Sequence, residues 1–475
     1  MRICFIAEGS YPYVIGGITS WLNIFIKCFP DYELKTFAIG AKDKDRGKFI
    51  CRIPDNMTQI EEVFLDTPIK KKVSRFPGRF IRNKKEKQVL MDHFSGKFSD
   101  WPAIFEFVDK MKPHKFINFF NSADFYEIVQ TIYKENFNNA PYNDFLWTIR
   151  TMYIYQFYLL RVDVPEADIY HCVSAGFPGI IASKAVYLNK KPFVLTEHGI
   201  YTREREEEII KSDFIKAYTK ELWVQYFRSM SMCAYTFSSK IITQFERNRE
   251  LEIGFGADKN KTMIIPNGMR VEEINDSQTV RIFGEQVIVG AIARIVPIKD
   301  IITMLRSYEK AKMKIPELKL VIVGPTDEDE QYHAYVKDYV IKRNIRDIIF
   351  TGKVDYEQYM QSFYSMDMIL LTSISEGQPL SLLEAMAYAK PVIATDVGSC
   401  SELILGPRDE MGEAGIVAPV MDFNAIARAI IRLAQDSELR KKMGAAGRQR
   451  VREFYTIQHM GDAYRKVYEE VVGYL

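Results

Sequence analysis

Two consecutive doubly wound α/β domains are the architecture this sequence predicts, on three observations. Short apolar runs of strand type alternate with helical stretches through both halves of the chain. The chain has 475 residues, enough for two ordinary domains, and 47% of them are hydrophobic, enough to fill two cores. Several of the runs end in polar, glycine-bearing loops, at the strand ends where open α/β sheets bind ligands.

In the first half the strand candidates lie near residues 2–7, 34–39, 168–173 and 192–196, in a domain that ends near IIPNG at 264–268. A clearer series follows, with strands at 287–293, 318–323, 348–350, 368–371 and 392–394 and helices between them. Residues 454–475, FYTIQHMGDAYRKVYEEVVGYL, read as a closing helix. The segment from about 66 to 165 carries the basic run KKKVSRFPGRFIRNKKEK at 70–87 and an aromatic helical stretch from FINFF at 116–120 to YIYQFY at 153–158. The basic run reads as a solvated loop or helix face, or alternatively as a contact for acidic lipid headgroups or a membrane-bound partner.

Composition excludes several functions. A net charge of +2 gives no case for nucleic acid as a partner. No run of about 18 apolar residues is present, and MRICFIAE lacks the pattern of a secretory signal. Cys4, Cys28, Cys51, Cys172, Cys233 and Cys400 are scattered without C-x-x-C spacing, against zinc or a disulfide framework, so a reducing cytoplasm fits best.

Residues 375–398, SEGQPLSLLEAMAYAKPVIATDVG, carry the strongest chemical signal. MILLT at 368–372 is a buried-strand run, and Pro379 suits a first helical position, where its missing N–H costs nothing. The N–H groups of Leu380, Ser381 and Leu382 would then be unpaired at a helix start that favours phosphate. Glu376 reads either as a capping residue or as a ligand-binding carboxylate. Glu384 belongs either to a solvated stripe with Ser381 and Tyr388 or to a site. Upstream, VIVGAIARIVPIKD at 287–300 reads as a strand, a turn carrying Arg294 and Lys299, and a helix starting near Asp300. Those cations are either solvated or placed to stabilise charge on a departing diphosphate.

In the first half, Gly16 and Gly17 stand between the first strand and a helix beginning near SWLNIFI at 20–26, as a plain turn or as a place of close backbone approach to a ligand. PFVLTEHGI at 192–200 puts Glu197 and His198 at the carboxyl end of a strand; a lone histidine there is structural or a ligand contact.

The E-x7-E pattern of Glu376 and Glu384, followed by AMAYAKPVIA, resembles the signature of retaining glycosyltransferase family 4, whose members have the two-domain GT-B fold. The pattern from Gly290 through Arg294 to Lys299 resembles that family's diphosphate clamp, and IIPNG resembles its entry to the second domain. The resemblance implies donor-sugar contact by Glu376, ribose binding by Glu384, charge stabilisation by Arg294 and Lys299, and a hydrogen bond from His198 to the donor sugar. It places Gly377, Gln378, Pro379, Leu380 and Ser381 around the nucleotide sugar, and Gly16 and Gly17 beside its phosphates and the acceptor. The long N-terminal insertion, EGSYPYVIGG at 8–17 and TEHGIYTRER at 196–205 resemble the PelF branch, the cytosolic polymerase subunit of Pel exopolysaccharide synthesis.

That branch implies a UDP-sugar donor, a saccharide acceptor, no metal cofactor, and a membrane-bound Pel synthase complex as partner. The domains expected are an acceptor-side domain at 1–268 with its insertion at about 66–165, a nucleotide-sugar domain at 269–453, and a crossover helix at 454–475 packing on the first. A hinge near 267–285 would let the cleft close and exclude water. An ADP-glucose-dependent synthase of the glycogen type, or a GT-B-like scaffold without turnover, are the rival readings.

Overall fold

The computed structural model describes residues 1–14, 16–67, 78–97, 99–111, 116–271 and 286–473. Two compact units emerge: Met1–Thr243 with Asn248–Ile264 and Ala463–Leu475, and Gln244–Arg247 with Ile265–Asp462. Residues 70–77 of the basic run and 272–285 of the expected hinge lie outside the described residues.

The N-terminal unit is built from β1 (Arg2–Glu8), α1 (Gly17–Phe25), β2 (Glu33–Gly40) and β3 (Met57–Phe64), then five helices, α2 (Lys84–Phe94), α3 (Trp101–Asp109), α4 (Phe116–Phe119), α5 (Ala123–Asn136) and α6 (Tyr142–Leu159). After them come β4 (Ile169–Cys172), α7 (Phe177–Asn189), β5 (Phe193–Thr196), α8 (Tyr201–Lys211), α9 (Ala217–Phe237), β6 (Lys240–Thr243), α10 (Glu246–Gly254, its first two residues assigned to the other unit) and β7 (Thr262–Ile264). The strands form a seven-stranded parallel sheet in the order β3-β2-β1-β4-β5-β6-β7. The interior of β1 is buried throughout and apolar, as a parallel strand covered by helices on both faces requires. Arg2 fastens the start of β1 to the start of β4, its backbone N–H and its guanidinium both donating to Asp168 at 2.9 Å.

The second unit carries β8 (Ile288–Ile292), α11 (Ile301–Lys312), β9 (Lys319–Val323), α12 (Glu330–Lys342), β10 (Ile348–Phe350), α13 (Tyr356–Ser365), β11 (Met368–Leu371), α14 (Leu380–Ala387), β12 (Val392–Thr395), α15 (Cys400–Leu405), β13 (Gly415–Ala418), α16 (Phe423–Gln435) and α17 (Ser437–Phe454). Its six strands are parallel, in the order β10-β9-β8-β11-β12-β13. The last helix, α18 (Ile457–Val472), begins in the second unit and ends in the first.

Four strands escaped the sequence reading: β3, β6, β7 and β13. β3 is an edge strand, MTQIEEVF, whose polar residues face solvent, and β6, β7 and β13 are runs of three or four residues, each partly exposed or opened by a polar or glycine residue. The helix expected near residue 20 starts earlier, at Gly17. The insertion folds as helices whose aromatic core is shared with α7 and α9 through Ile180, Leu222, Tyr226, Met230 and Cys233; in it Phe119 stacks on Phe157 at 5.7 Å, with Phe94 and Phe125 packed edge-on.

The end of α18 is held by a buried polar ladder. His171 of β4 hydrogen-bonds Tyr468 Oη through Nδ1 at 2.6 Å and Thr196 Oγ1 through Nε2 at 2.8 Å, and Thr196 meets Tyr464 Oη at 3.0 Å. Burial drives the His171 pKa down to about 3, so the ring is neutral and one nitrogen accepts while the other donates. Tyr468→Phe leaves Nδ1 without its partner and is expected to cost about 1–3 kcal/mol. A urea midpoint unchanged by this substitution would count against the ladder.

Candidate functional site

The topology selects the places where ligands bind. In each sheet the strand order reverses beside the first strand of the unit, between β8 and β11 and between β1 and β4, and the crevice beyond such a reversal is where doubly wound sheets bind ligands.

In the second unit the loops after β8 and β11 are the ones holding Arg294, Lys299 and Glu376. They are laced together by backbone and hydroxyl bonds. Thr372 Oγ1 donates to the carbonyls of Lys299 and Asp300 at 3.0 and 3.1 Å, and the Ile374 N–H donates to the Ile298 carbonyl at 2.9 Å. Across this seam the Lys299 ammonium donates to the Glu376 carboxylate, which also accepts from Ser373 Oγ at 2.5 Å. Both side chains are largely sheltered, at 16% and 13% exposure.

A third loop, after β12, fixes the position of Glu376. Gly398 has φ +52, and a Cβ there would lie 2.1 Å from the Gly377 carbonyl oxygen and 2.5 Å from that of Glu376, so only glycine allows this approach. The Ser399 N–H then donates to the Gly377 carbonyl at 3.0 Å. Gln378 accepts from the Asn267 N–H at 2.7 Å through Oε1.

Pro379 is the residue before α14 rather than its first residue, and its carbonyl takes the Leu382 N–H at 3.1 Å. Of the three expected free donors, Leu380 and Ser381 are therefore left without a backbone partner among the described residues.

Glu384 lies one turn into α14, half-buried, with the Tyr359 hydroxyl of α13 donating to it. Tyr388 is buried and stacked on Phe363 at 5.0 Å, so a solvated stripe of Ser381, Glu384 and Tyr388 does not form. Burial pushes the Glu384 carboxyl up to about 7, partly offset by the Tyr359 hydrogen bond.

The two cations do not share one environment. Arg294 is exposed and pairs with Glu328 in the loop after β9 at 2.7 Å, while Lys299 is turned onto Glu376. Among the described residues, no group of three or more His, Cys, Asp or Glu could hold a metal ion.

In the N-terminal unit, Gly16 and Gly17 begin α1. Both are exposed, and a Cβ on either would meet nothing within 4 Å, which leaves open space at the helix start. His198 follows β5 with its ring edge-on to Trp21 of α1, centroids 4.5 Å apart. Burial lowers its pKa to about 4, so it is neutral at physiological pH. Its Nε2 is buried and unpaired among the described residues, a polar atom available to a ligand hydroxyl. The neighbouring Glu197 is engaged inside the fold, accepting from the Tyr201 N–H at 3.1 Å and Tyr235 Oη at 2.7 Å. Glu8, at the carboxyl end of β1, is pushed up to about 7 by burial, with Arg205 opposing.

Sequence reasoning missed Tyr359, Ser373, Thr372, Gly398, Trp21 and Glu8 as parts of these sites. Gly398 and Trp21 stood inside segments already singled out. Tyr359 precedes its partner Glu384 by 25 positions on another helix, and no local pattern reports that pairing.

Two parallel Rossmann-like sheets give the fold class, and residues 272–450 match the model described as glycosyl transferases group 1, so the chain is a group 1 glycosyltransferase with the GT-B fold. Residues 1–260 match the model described as domain of unknown function (DUF3492), and the chain belongs to that family.

Among curated relatives, the uncharacterized glycosyltransferase MJ1059 of Methanocaldococcus jannaschii is 23% identical over 418 residues, 79% of this chain and 96% of that protein. The capsular polysaccharide biosynthesis glycosyltransferase CapM of Staphylococcus aureus is 24% identical, over 62% of this chain and 76% of its own. Of solved structures, sucrose-phosphate synthase from Thermosynechococcus elongatus superposes with a TM-score of 0.62 at 16% identity, covering all of both chains. HepE of Anabaena in complex with UDP superposes with a TM-score of 0.62 at 14% identity, over 99% of this chain and all of the other, a likeness of fold.

Proposed function

We propose that this chain transfers a hexose or N-acetylhexosamine from a UDP-sugar to a growing saccharide, with retention at the anomeric carbon and without a metal. The observation that carries the reading is the sheltered Lys299–Glu376 pair at the reversal point of the second sheet, one loop away from Glu384. As the sugar–phosphate bond breaks, negative charge grows on the departing diphosphate. An ammonium fixed beside it stabilises that charge more than it stabilises the ground state.

Lys299 supplies that ammonium, and Glu376 holds it in place while accepting from donor-sugar hydroxyls. Arg294 joins by exchanging Glu328 for phosphate, which costs little because an exposed pair is worth about 0–1 kcal/mol. Leu380 and Ser381 offer N–H groups to the phosphate, with Gly377, Gln378 and Pro379 forming the turn around it. Ionised Glu384 accepts from both ribose hydroxyls. In the N-terminal unit, the unused Nε2 of His198 is offered to a ligand hydroxyl, and Gly16 and Gly17 leave open space at the start of α1. No protein nucleophile is assigned; the acceptor hydroxyl attacks from the face that the phosphate leaves and passes its proton to it.

The name of HepE's complex, with UDP, supports the choice of uridine, and the polysaccharide role in CapM's name supports a saccharide acceptor. The finer reading is a Pel-type exopolysaccharide made in the cytoplasm with a membrane-bound synthase complex, supported by the insertion and the TEHGIYTRER segment.

Isothermal titration with UDP, ADP and GDP in metal-free buffer tests the site, and selective UDP binding lost in Glu384→Ala and Arg294→Ala is the expected result. Binding indifferent to both changes would refute it. Burial pushes the Glu384 carboxyl up to about 7, and it binds the diol only when ionised, so UDP affinity is expected to rise by about tenfold in all between pH 6 and pH 8 and to level off above that. That rise should vanish in Glu384→Gln. The sign for stability is opposite. A carboxyl raised above its unfolded value contributes most below that value, and the contribution disappears as the pH rises through about 7.

A further inference from the structure

We infer that Glu197 is a positioning residue: its buried carboxylate closes the link between β5 and α8 and so holds the His198 ring, with its unused Nε2, where a ligand hydroxyl can meet it. The inference rests on the reading of His198 as a ligand contact and adds the group that keeps that contact in place.

The link consists of His198, Gly199 and Ile200, between Glu197 after β5 and Tyr201, the first residue of α8. Ile200 stands where a short polar side chain usually serves the free N–H groups of a helix start, and it supplies no such cap. The Glu197 carboxylate does so instead, accepting the Tyr201 N–H through Oε1 at 3.1 Å. Its other oxygen takes the Tyr235 hydroxyl of α9 at 2.7 Å. The Glu197 backbone is fixed as well, its N–H donating to the Ile242 carbonyl of β6 at 2.9 Å. One residue therefore ties both ends of the link. Within it, a Cβ on Gly199 would fall 1.9 Å from Glu204 Oε1, so the Glu204 carboxylate packs directly against the link.

Capping alone would not require this arrangement. Glu197 and Tyr235 are each 1% exposed, and burying a carboxylate is costly, whereas a short polar side chain at position 200 would cap α8 without that cost. A second buried carboxyl, Glu252 of α10, has no hydrogen-bond partner on either oxygen among the described residues, and burial and the Glu197 charge raise its pKa. Two such groups do not both ionise, so the proton resides on Glu252 and Glu197 keeps both oxygens free to accept.

His198 is what the closed link constrains. Its ring lies edge-on to Trp21 at 4.5 Å with Nε2 buried and unpaired among the described residues. An orphaned buried nitrogen is unfavourable, and such a cost persists where the surroundings over-determine the backbone that bears it.

The test reads the ring directly, apart from catalysis. In NMR of the full chain with labelled histidine, the His198 signal is identified among the six histidines by its loss in His198→Gln. Burial lowers its pKa to about 4, so in the wild type it should not titrate between about pH 8 and about pH 5. Glu197→Gln retains an acceptor for the Tyr201 N–H and a donor for the Tyr235 oxygen, and should leave the signal unchanged. Glu197→Ala should free the link and let the ring titrate toward the ordinary value of about 6.5. Glu197→Asp, one methylene too short to reach both donors, takes its place if the alanine chain does not fold, with the same shift expected. A ring that still does not titrate in the folded variant overturns the inference.

Sugar transfer is the second readout. Glu197→Ala should lower kcat/KM by about tenfold to a hundredfold, Glu197→Gln should restore it, and in a His198→Ala background the alanine change should cost no more than about threefold further. Fully additive losses overturn the inference. Turnover indifferent to His198→Ala, with the ring released by Glu197→Ala, removes His198 from transfer and still supports Glu197 as the group that holds it.

Discussion

Lys299→Ala is expected to lower the rate of sugar transfer by about 10²–10³-fold, the range found when one stabilising group is removed from a developing anion. The size follows from where the ammonium sits. Lys299 is 16% exposed, its partner Glu376 is held by Ser373, and Gly398 presses on the backbone that carries Glu376. Removing the cation therefore takes away charge at the diphosphate and also leaves a sheltered carboxylate with only a hydroxyl donor.

The two effects separate in a cycle with Glu376→Gln. If the pair acts as a unit, the double variant is no worse than Lys299→Ala alone, because non-additivity is the sign of shared work. UDP release from the donor in the presence of acceptor is the measurement. A Lys299→Ala enzyme within about threefold of wild type would remove Lys299 from the mechanism.

Arg450→Met is expected to destabilise the second unit by about 3–5 kcal/mol, the cost of stranding one member of a buried ion pair. Arg450 of α17 is 1% exposed and its guanidinium is saturated. Nε and Nη2 donate to Asp409 at 2.6 and 2.9 Å, Nη1 to the carbonyls of Leu403 and Ile404, and Nη2 also to that of Gly412 at 2.5 Å. One side chain thus closes the end of α15 and the loop leading to β13. Gly406 must lack a side chain, since its Cβ would fall 1.9 Å from Nη2.

Urea unfolding measures the loss, and a shift below about 1 kcal/mol would contradict the account. The same pair gives an acid signature. Hydrogen bonding from Arg450 lowers the Asp409 pKa below its usual 3.8, so the stability it contributes is present above that value and is lost as the pH falls through the lower folded pKa.

Nine of the thirteen strands were legible because each is an apolar run bounded by polar loops, a pattern that backbone geometry writes locally. The places of Glu376, Glu384, Arg294 and Lys299 after strands were legible for a related reason. Each lies on a loop or helix start that follows a strand, and strand-loop-helix order is visible in one dimension.

The unread parts are those whose partners are distant in sequence. Tyr359 meets Glu384 and Glu328 takes Arg294 only because the strand order of the second sheet brings their elements together. The exposure of Trp147 and Phe214 was equally hidden, since both look like core residues until the fold shows that they face water.

By itself, then, the sequence determined that strands and helices alternate in two series and which carboxylates and cations stand at strand ends, because hydrophobic periodicity and turn chemistry act between near neighbours. Tertiary structure alone decided that Lys299 neutralises Glu376 while Arg294 turns to Glu328, and that burial lifts Glu384 to about 7. Charge pairing and desolvation depend on distances through space, and only the folded chain sets those distances.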